Sequence, residues 1–259
     1  MNIFYINLDK STDRKEQIEN NLNKFNLKYN RISAIEGLKL FEEDYRKEIS
    51  ELLDIDIEKL TPQYLSSKSN FNTYDRDINT ILPKVACFLS HFKTLHHAIQ
   101  NNLENILILE DDAIIENLEF SYPPNASIVY LGGFFKHKPE KDSYYEHNKK
   151  SKFFYINSEY LTVFSTVAYY LPNRKCIEHL YNIYRRTLLD GKPKRKYNDN
   201  TITRLVAAPS DRMLINYLQK EGLAVVSQPQ IVKPNTELKS TICNKQKYIK
   251  QQLKLKLEY

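Results

Sequence analysis

Three adjacent carboxylates, Glu110, Asp111 and Asp112, follow directly after the apolar run at residues 106–109. A short apolar run of this kind predicts a buried strand, which places the three acids at its carboxyl end. Ligands of open α/β sheets bind at that edge. Adjacent carboxylates repel one another unless a cation or hydrogen-bond donors neutralise them. Because alternate side chains of an extended backbone share a face, we expect Glu110 and Asp112 to converge and Asp111 to point elsewhere.

Two carboxylates on one face suit Mn²⁺ or Mg²⁺, particularly where a diphosphate completes the coordination shell. The alternative for an acidic triplet is a solvated turn that caps the following helix. The buried strand before the triplet favours the metal site, with Glu110 and Asp112 as its ligands.

Further candidates lie upstream and downstream of the acids. Asn7, Leu8 and Arg14 follow the first predicted strand, where a nucleotide could lie and a guanidinium could contact its phosphates; the alternative for Arg14 is an exposed helix residue. His91 could donate to a phosphate or sugar, or be a satisfied helix histidine. Asp211 could cap a helix or reach the cleft as a general base. The chain has no HExxH pattern, and His96 and His97 are interpreted as surface residues of the same helix as His91, which argues against a zinc site.

The elements that must position these residues begin with strand, helix and strand. Residues 2–8 and 27–32 predict strands, and a helix lies between them. Asp13 and Glu16 suggest a capping box at its start. The apolar face of this helix comprises Ile18, Leu22 and Phe25. The order predicts a parallel sheet with both faces covered.

The rest of the chain continues the alternation of helices and strands. Residues 38–60 predict helix and residues 61–82 an insertion or mobile loop. Strands are predicted at residues 105–109, 127–131, 166–171 and 223–227, helices at residues 85–100, from Pro172 to about Arg186 and after Ser210, and a polar loop at residues 136–152. We therefore expect one Rossmann-like α/β domain over residues 1–238, with an insertion at about residues 38–83.

The excess of positive charge is small, with 38 Lys and Arg against 32 Asp and Glu, a net charge of +6. It concentrates in the loop at residues 191–197 and in the tail at residues 239–259. A helical tail would place Ile249, Leu253 and Leu257 in one stripe beside lysines, which suits an anionic membrane surface or packing against the domain. No nucleic-acid-binding motif is present, so we expect no nucleic-acid partner.

Cysteine usage and hydropathy bear on the compartment. Cys87, Cys176 and Cys243 are widely spaced without a CxxC pair, which indicates reduced thiols. The apolar stretches are too short to span a bilayer, and the N-terminal residues lack the layout of a signal peptide. The expected location is cytoplasmic.

Several short motifs occur in an order that resembles glycosyltransferase family 25, the bacterial lipooligosaccharide transferases related to collagen galactosyltransferases. The motifs are INLDKSTDR at residues 6–14, AIEG at 34–37, CFLSH at 87–91, ILEDD at 108–112, PSD at 209–211 and STI at 240–242. The chain departs from the family at residues 83–87, PKVAC, where Lys84 replaces a glutamate. No histidine follows His179, although many related enzymes place a late histidine on their metal.

The resemblance implies a fold of the GT-A type that binds a nucleotide sugar. Glu110 and Asp112 would match the metal motif, and Asp111 would contact the ribose or donor sugar. The nucleotide-sugar site would also include Asn7, Leu8, Arg14, Ala34, Glu36 and His91.

The expected activity is inverting, metal-dependent transfer of a hexose from a UDP-sugar, galactose first and glucose second, to lipooligosaccharide or a related glycan. Asp211 would be the catalytic base. The tail would hold the enzyme peripherally at the inner face of the bacterial inner membrane. Two alternatives remain open: a nucleotide-sugar-binding relative without transfer activity, and a membrane-surface adaptor.

Overall fold

A computed structural model of the chain describes residues 1–58, 60, 78–137, 152–156, 161–189, 224–227 and 229–238. The helices within these ranges are α1 Thr12–Asn23, α2 Glu43–Leu53, α3 Ile78–Gln100 and α4 Arg174–Leu189, with a 3₁₀ turn at Leu38–Phe41. The strands are β1 Asn2–Asn7, β2 Tyr29–Ser33, β3 Ile106–Glu110, β4 Ala113–Ile115, β5 Ile128–Tyr130, β6 Phe134–His137, β7 Phe153–Tyr155, β8 Leu161–Phe164, β9 Ala168–Leu171, β10 Ala224–Ser227 and β11 Val232–Pro234.

Seven strands form a mostly parallel central sheet in the order β2-β1-β3-β9-β5-β10-β7. Strand β1 is parallel to β2 and β3, and β10 is parallel to β5. Strand β9 is antiparallel to both β3 and β5, and β7 is antiparallel to β10. Two small sheets, β4 with β11 and β6 with β8, complete the described strands. The predicted Rossmann-like α/β class is confirmed.

Both faces of the central sheet are covered, and this explains the apolar runs in β1 and β3. Phe4 of β1 belongs to the hydrophobic cluster that α3 completes on one face. Tyr5, its neighbour, belongs to the cluster on the other face, together with Ile18 and Leu22 of α1. A strand that is buried on two sides has no polar alternation, so its sequence shows a continuous apolar run.

The start and end of α1 differ from the sequence prediction. Ser11 is the N-cap residue and makes no side-chain capping hydrogen bond, so the predicted capping box of Asp13 and Glu16 is wrong. Phe25 lies beyond the end of the helix and is 36% exposed. The helix ends where the chain turns toward β2. The apolar spacing of three to four residues continues past that point, so it does not mark the end of the helix.

The helix predicted at residues 85–100 begins earlier than predicted, since residues 78–83 belong to α3. The turn at Gly37 packs directly against this part of the helix: a Cβ atom on Gly37 would lie 2.8 Å from the Pro83 nitrogen. The residue type at position 37 therefore permits a close approach between the end of the first β-α-β unit and α3.

The predicted loop at residues 136–152 is also corrected, since its first two residues end β6. Residues 61–77, the basic loop at 191–197, the predicted helix after Ser210 and the tail at 239–259 lie outside the described residues. Within the described part, no helix combines the length and apolar character needed to cross a membrane.

Candidate functional site

A cavity of about 390 Å³ opens at the carboxyl ends of β1 and β3. Nine of the ten residues predicted from the sequence line it: Asn7, Leu8, Arg14, Ala34, Glu36, His91, Glu110, Asp111 and Asp112. The tenth, Asp211, lies outside the described residues. A second cavity, of about 360 Å³, lies beside Glu116 and Lys233 and contains none of the predicted residues. We take the first cavity as the candidate site because it collects carboxylates, a guanidinium and an imidazole in one place.

The acidic triplet has a different geometry from the one predicted. Strand β3 ends at Glu110, and Asp111 and Asp112 lie in the turn that leads to β4. Arg14 Nη2 lies 3.0 Å from Asp111 Oδ1 and 3.5 Å from Asp112 Oδ2. The prediction that Asp111 points away from the others is therefore wrong. Alternation of side chains holds only along extended backbone, and the extended conformation stops one residue earlier than the prediction required.

Arg14 is a buried cation rather than an exposed helix residue. It projects from the first turn of α1 and is 9% exposed. Its Nε is buried and has no hydrogen-bond partner within the part of the chain that the structure describes. A single guanidinium thus faces Asp111 and Asp112. Its Nε–H group can still donate a hydrogen bond to a further acceptor.

Asn7 holds Asp111 in place. Its Nδ2 donates to Asp111 Oδ2 at 2.8 Å and to the Ser11 carbonyl at 3.1 Å. Its Oδ1 accepts a hydrogen bond from Arg31 Nε at 3.1 Å. Asn7 is 1% exposed, and its two amide hydrogens are both used inside the protein. The Asn7 side chain therefore positions the Asp111 carboxylate and has no amide hydrogen left to donate to a ligand.

Burial changes the proton affinity of Asp111. Desolvation raises the pKa of this carboxyl above its ordinary value, and the charge of Glu110 acts in the same direction. Arg14 and the hydrogen bond from Asn7 oppose this effect and lower the pKa. Any additional cation in the cavity would further stabilise the charged form of this carboxyl.

His91 links α3 to the sheet through two hydrogen bonds. Its Nδ1 lies 2.9 Å from the Tyr169 hydroxyl, and its Nε2 lies 3.3 Å from Glu110 Oε1. Thr166 also donates a hydrogen bond to Glu110. Burial raises the pKa of Tyr169 well above its ordinary value, so this hydroxyl keeps its proton. His91 is 1% exposed and both ring nitrogens have partners in the core, as expected of a satisfied helix histidine, and the residue also lies in the lining of the cavity.

Glu36 lies at the rim of the cavity among positive charges. It forms an ion pair with Lys10, and Lys39 Nζ lies 3.8 Å from its second carboxylate oxygen. The neighbouring Ile35 amide donates to Ser90 Oγ at 2.9 Å, which ties the segment to α3. Glu36 is therefore fixed at the entrance by both its backbone and its side chain.

Sequence reasoning missed Tyr169 and Thr166. Both lie near the start of β9, which runs antiparallel to β3 and places Ala168 opposite Leu109. No local motif marks them, because their role comes from a pairing between strands that are distant in the sequence. Cys87 was expected to be a reduced thiol and was not among the predicted site residues, yet it lines the cavity too.

The cavity is lined by the predicted pair of carboxylates, Glu110 and Asp112. It also holds a second group of side chains that could bind a metal ion. This second group is Cys87, His91 and Glu110, whose ligand atoms all lie within 4.8 Å of one another. Glu110 belongs to both groups, and it is the point at which they meet.

The fold and the site together define a Rossmann-like α/β protein with an acidic ligand cavity at the carboxyl edge of its sheet. The family model described as "Glycosyltransferase family 25 (LPS biosynthesis protein)" matches residues 1–190. That match covers most of the chain, and the protein belongs to glycosyltransferase family 25. The matched range includes the nine predicted residues that line the cavity. A comparison with curated proteins found no significant match.

Proposed function

We propose that this family member is an inverting glycosyltransferase of the GT-A type. It transfers a hexose, galactose in first place and glucose in second, from a UDP-sugar to lipooligosaccharide or a related glycan. The observation that carries the proposal is the convergence of nine predicted residues on one cavity at the carboxyl edge of β1 and β3. A cavity of about 390 Å³ also falls within the range of small-molecule sites.

The positive groups of the cavity suit the diphosphate of the donor. Arg14 has a fixed guanidinium in the wall, and Lys10 reaches the rim beside Glu36. Arg14 is held by Asp111 and Asp112, so its orientation is set before any ligand binds. In this proposal Arg14 faces the phosphates, Asp111 contacts the ribose or the donor sugar, and Leu8, Ala34, Glu36 and His91 complete the nucleotide-sugar wall.

The carboxylates also fit a divalent cation. Glu110 and Asp112 supply the hard oxygen donors that Mn²⁺ and Mg²⁺ prefer. Four carboxylates line the cavity against two cations, Lys10 and Arg14, so the cavity has negative charge for a further cation to neutralise. When bound, the cation would stabilise the charge that develops on the leaving diphosphate. The protein prepares this role by orienting Glu110 through His91 and Thr166.

The acceptor hydroxyl needs a base on the side opposite the leaving group. We assign this role to Asp211, which would take the proton as the hydroxyl oxygen attacks the anomeric carbon. Attack from that side inverts the configuration of the sugar. The basic tail at residues 239–259 would hold the enzyme at the inner face of the bacterial inner membrane, beside a glycolipid acceptor.

The test is transfer from UDP-galactose and UDP-glucose in the presence of Mn²⁺, comparing wild type with Asp112→Ala. We expect transfer to fall by about 100-fold or more, since loss of one group that stabilises developing charge has effects of that size. Asp13→Ala is the matched control, because Asp13 is an exposed acid in the first turn of α1. Wild-type activity in Asp112→Ala would remove the metal role.

Measurements of donor hydrolysis, liposome binding and thermal stability separate the alternatives. Slow hydrolysis of the UDP-sugar without any acceptor product would favour a nucleotide-sugar-binding relative. Binding to anionic liposomes without any thermal shift from nucleotide sugars would favour the adaptor, because a ligand that binds the folded state raises its apparent stability.

A further inference from the structure

Cys87 and His91 are four residues apart on α3, so their side chains project from the same face of the helix. Glu110, at the end of β3, lines the same cavity beside them. The sulfur, nitrogen and oxygen ligand atoms all lie within 4.8 Å of one another. A helix and a strand of the central sheet thus bring three metal-ligating groups of different chemistry to one point.

We propose that Cys87, His91 and Glu110 form a binding site for Zn²⁺. A thiolate, an imidazole and a carboxylate are the three ligand types that zinc takes in proteins, whereas Mg²⁺ and Mn²⁺ favour oxygen alone. Three protein ligands leave the fourth tetrahedral position open toward the cavity, as in zinc sites that bind water or substrate. The two anionic ligands balance the charge of the ion.

The distances are close to those that a shared ion requires. Two ligands of a tetrahedral zinc are roughly 3.3–3.7 Å apart, given bond lengths of about 2.0–2.3 Å. His91 Nε2 and Glu110 Oε1 are 3.3 Å apart, which matches such a separation. The Cys87 sulfur lies within 4.8 Å of the other two ligand atoms, which is at most about 1 Å beyond that range.

The surrounding hydrogen bonds prepare His91 for this role. A zinc-bound histidine typically donates its other ring N–H to a neighbouring oxygen, which fixes the ring orientation. The Tyr169 hydroxyl lies 2.9 Å from Nδ1 and is in position to accept that hydrogen bond. Nε2 then carries a lone pair toward Glu110. Thr166 donates to the same carboxylate oxygen, Glu110 Oε1, so both ligands have outer partners in the protein.

This proposal departs from the expectation, drawn from the sequence, that a zinc site is absent. That expectation counted histidines and CxxC pairs along the chain. The site instead combines one helical Cys-x-x-x-His pair with an acid from a separate strand, and only the packing of α3 against β3 brings them together. Because Glu110 also belongs to the proposed Mn²⁺ or Mg²⁺ pair, occupation by zinc would withdraw it from that pair.

The experiment measures binding rather than transfer, so it is independent of the proposed activity. Metal-free protein is titrated with Co²⁺, followed by absorption, and Zn²⁺ affinity is measured by competition with a chromophoric chelator. We expect a thiolate-to-cobalt charge-transfer band and tetrahedral d–d bands at one ion per chain. Cys87→Ser loses the charge-transfer band and binds Zn²⁺ at least about tenfold more weakly. Cys176→Ser, which removes the other half-buried cysteine of the described part, keeps both properties.

Two further measurements keep the proposal testable if Cys87→Ser folds poorly. In the wild type, Zn²⁺ but not Mg²⁺ slows alkylation of Cys87, and Cys176 is unaffected, as read by peptide mass spectrometry. Tyr169→Phe, with its fold checked by circular dichroism, keeps the cobalt charge-transfer band but weakens zinc binding by about 10- to 100-fold, as for other outer-shell partners. Equal alkylation of Cys87 with and without Zn²⁺, or a cobalt spectrum without a thiolate band, would overturn the proposal.

Discussion

Arg14 Nη2 lies 3.0 Å from Asp111 Oδ1, and each side chain is 11% exposed. This ion pair joins the first turn of α1 to the turn after β3 within the candidate site. A buried pair adds little stability compared with an apolar pair, but removing one partner leaves a charge stranded in the interior. The pair is therefore both a structural tie and a means of keeping Asp111 charged.

Arg14→Leu is expected to lower the free energy of unfolding by about 3–5 kcal/mol, because Asp111 and Asp112 lose their buried cation. Urea denaturation at neutral pH measures the change. Lys47→Ala is the control, since Lys47 forms an exposed ion pair with Glu43, 2.9 Å away on α2, that solvent screens. A variant Arg14→Leu as stable as Lys47→Ala would contradict the assigned role of the buried pair.

Much of the site could be predicted from the sequence because one rule places it. The carboxyl ends of parallel strands meet at one edge of a sheet, and β1 and β3 are adjacent and parallel. Residues that end the two strands, such as Asn7 and Glu110, therefore had to lie near each other. Each strand was itself evident as an apolar run, which a buried position on both sides of the sheet requires.

The remaining contacts could not be predicted, for two physical reasons. The direction of Asp111 depends on the residue at which β3 ends, and the apolar run gives no such boundary. The contact of Tyr169 with His91 depends on β9 lying antiparallel beside β3, a pairing of distant segments that local periodicity does not specify. Strands β4 and β11 have three residues each, which is too short for a recognisable alternation.

Gly132→Ala is expected to destabilise the protein by at least about 1–3 kcal/mol, the usual cost of overpacking. A Cβ atom at this position would lie 1.7 Å from the Val232 carbonyl oxygen. The backbone cannot easily move away, because the Ile231 and Val232 amides both donate to the Leu131 carbonyl at 3.0 Å. Thermal unfolding measures the loss. Thr236→Ala, an exposed position just after β11, is the control, and equal melting temperatures for the two variants would contradict the packing seen here.

Asp9→Asn tests the pH dependence of stability at the rim of β1 and β2. The hydrogen bond from Arg31, followed by that from Ser33, holds the pKa of Asp9 below its ordinary value of 3.8. Ser33 Oγ lies 2.9 Å and 3.0 Å from the two carboxylate oxygens. A carboxyl whose pKa is lower in the folded state stabilises the protein above its unfolded pKa, and this contribution is lost as the pH falls through the folded value.

We therefore expect wild type to exceed Asp9→Asn in free energy of unfolding at pH 7, and the difference to shrink below about pH 4. The Asp9 side chain is 74% exposed, so solvent screening keeps the difference under about 1 kcal/mol and added salt reduces it further. Urea titrations at several pH values measure it. Glu104→Gln is the control, because Glu104 is an exposed acid with no ion pair among the described residues. A difference for Asp9→Asn that grew toward low pH would reverse the sign of this linkage and would show that Arg31 and Ser33 do not favour the charged form of Asp9.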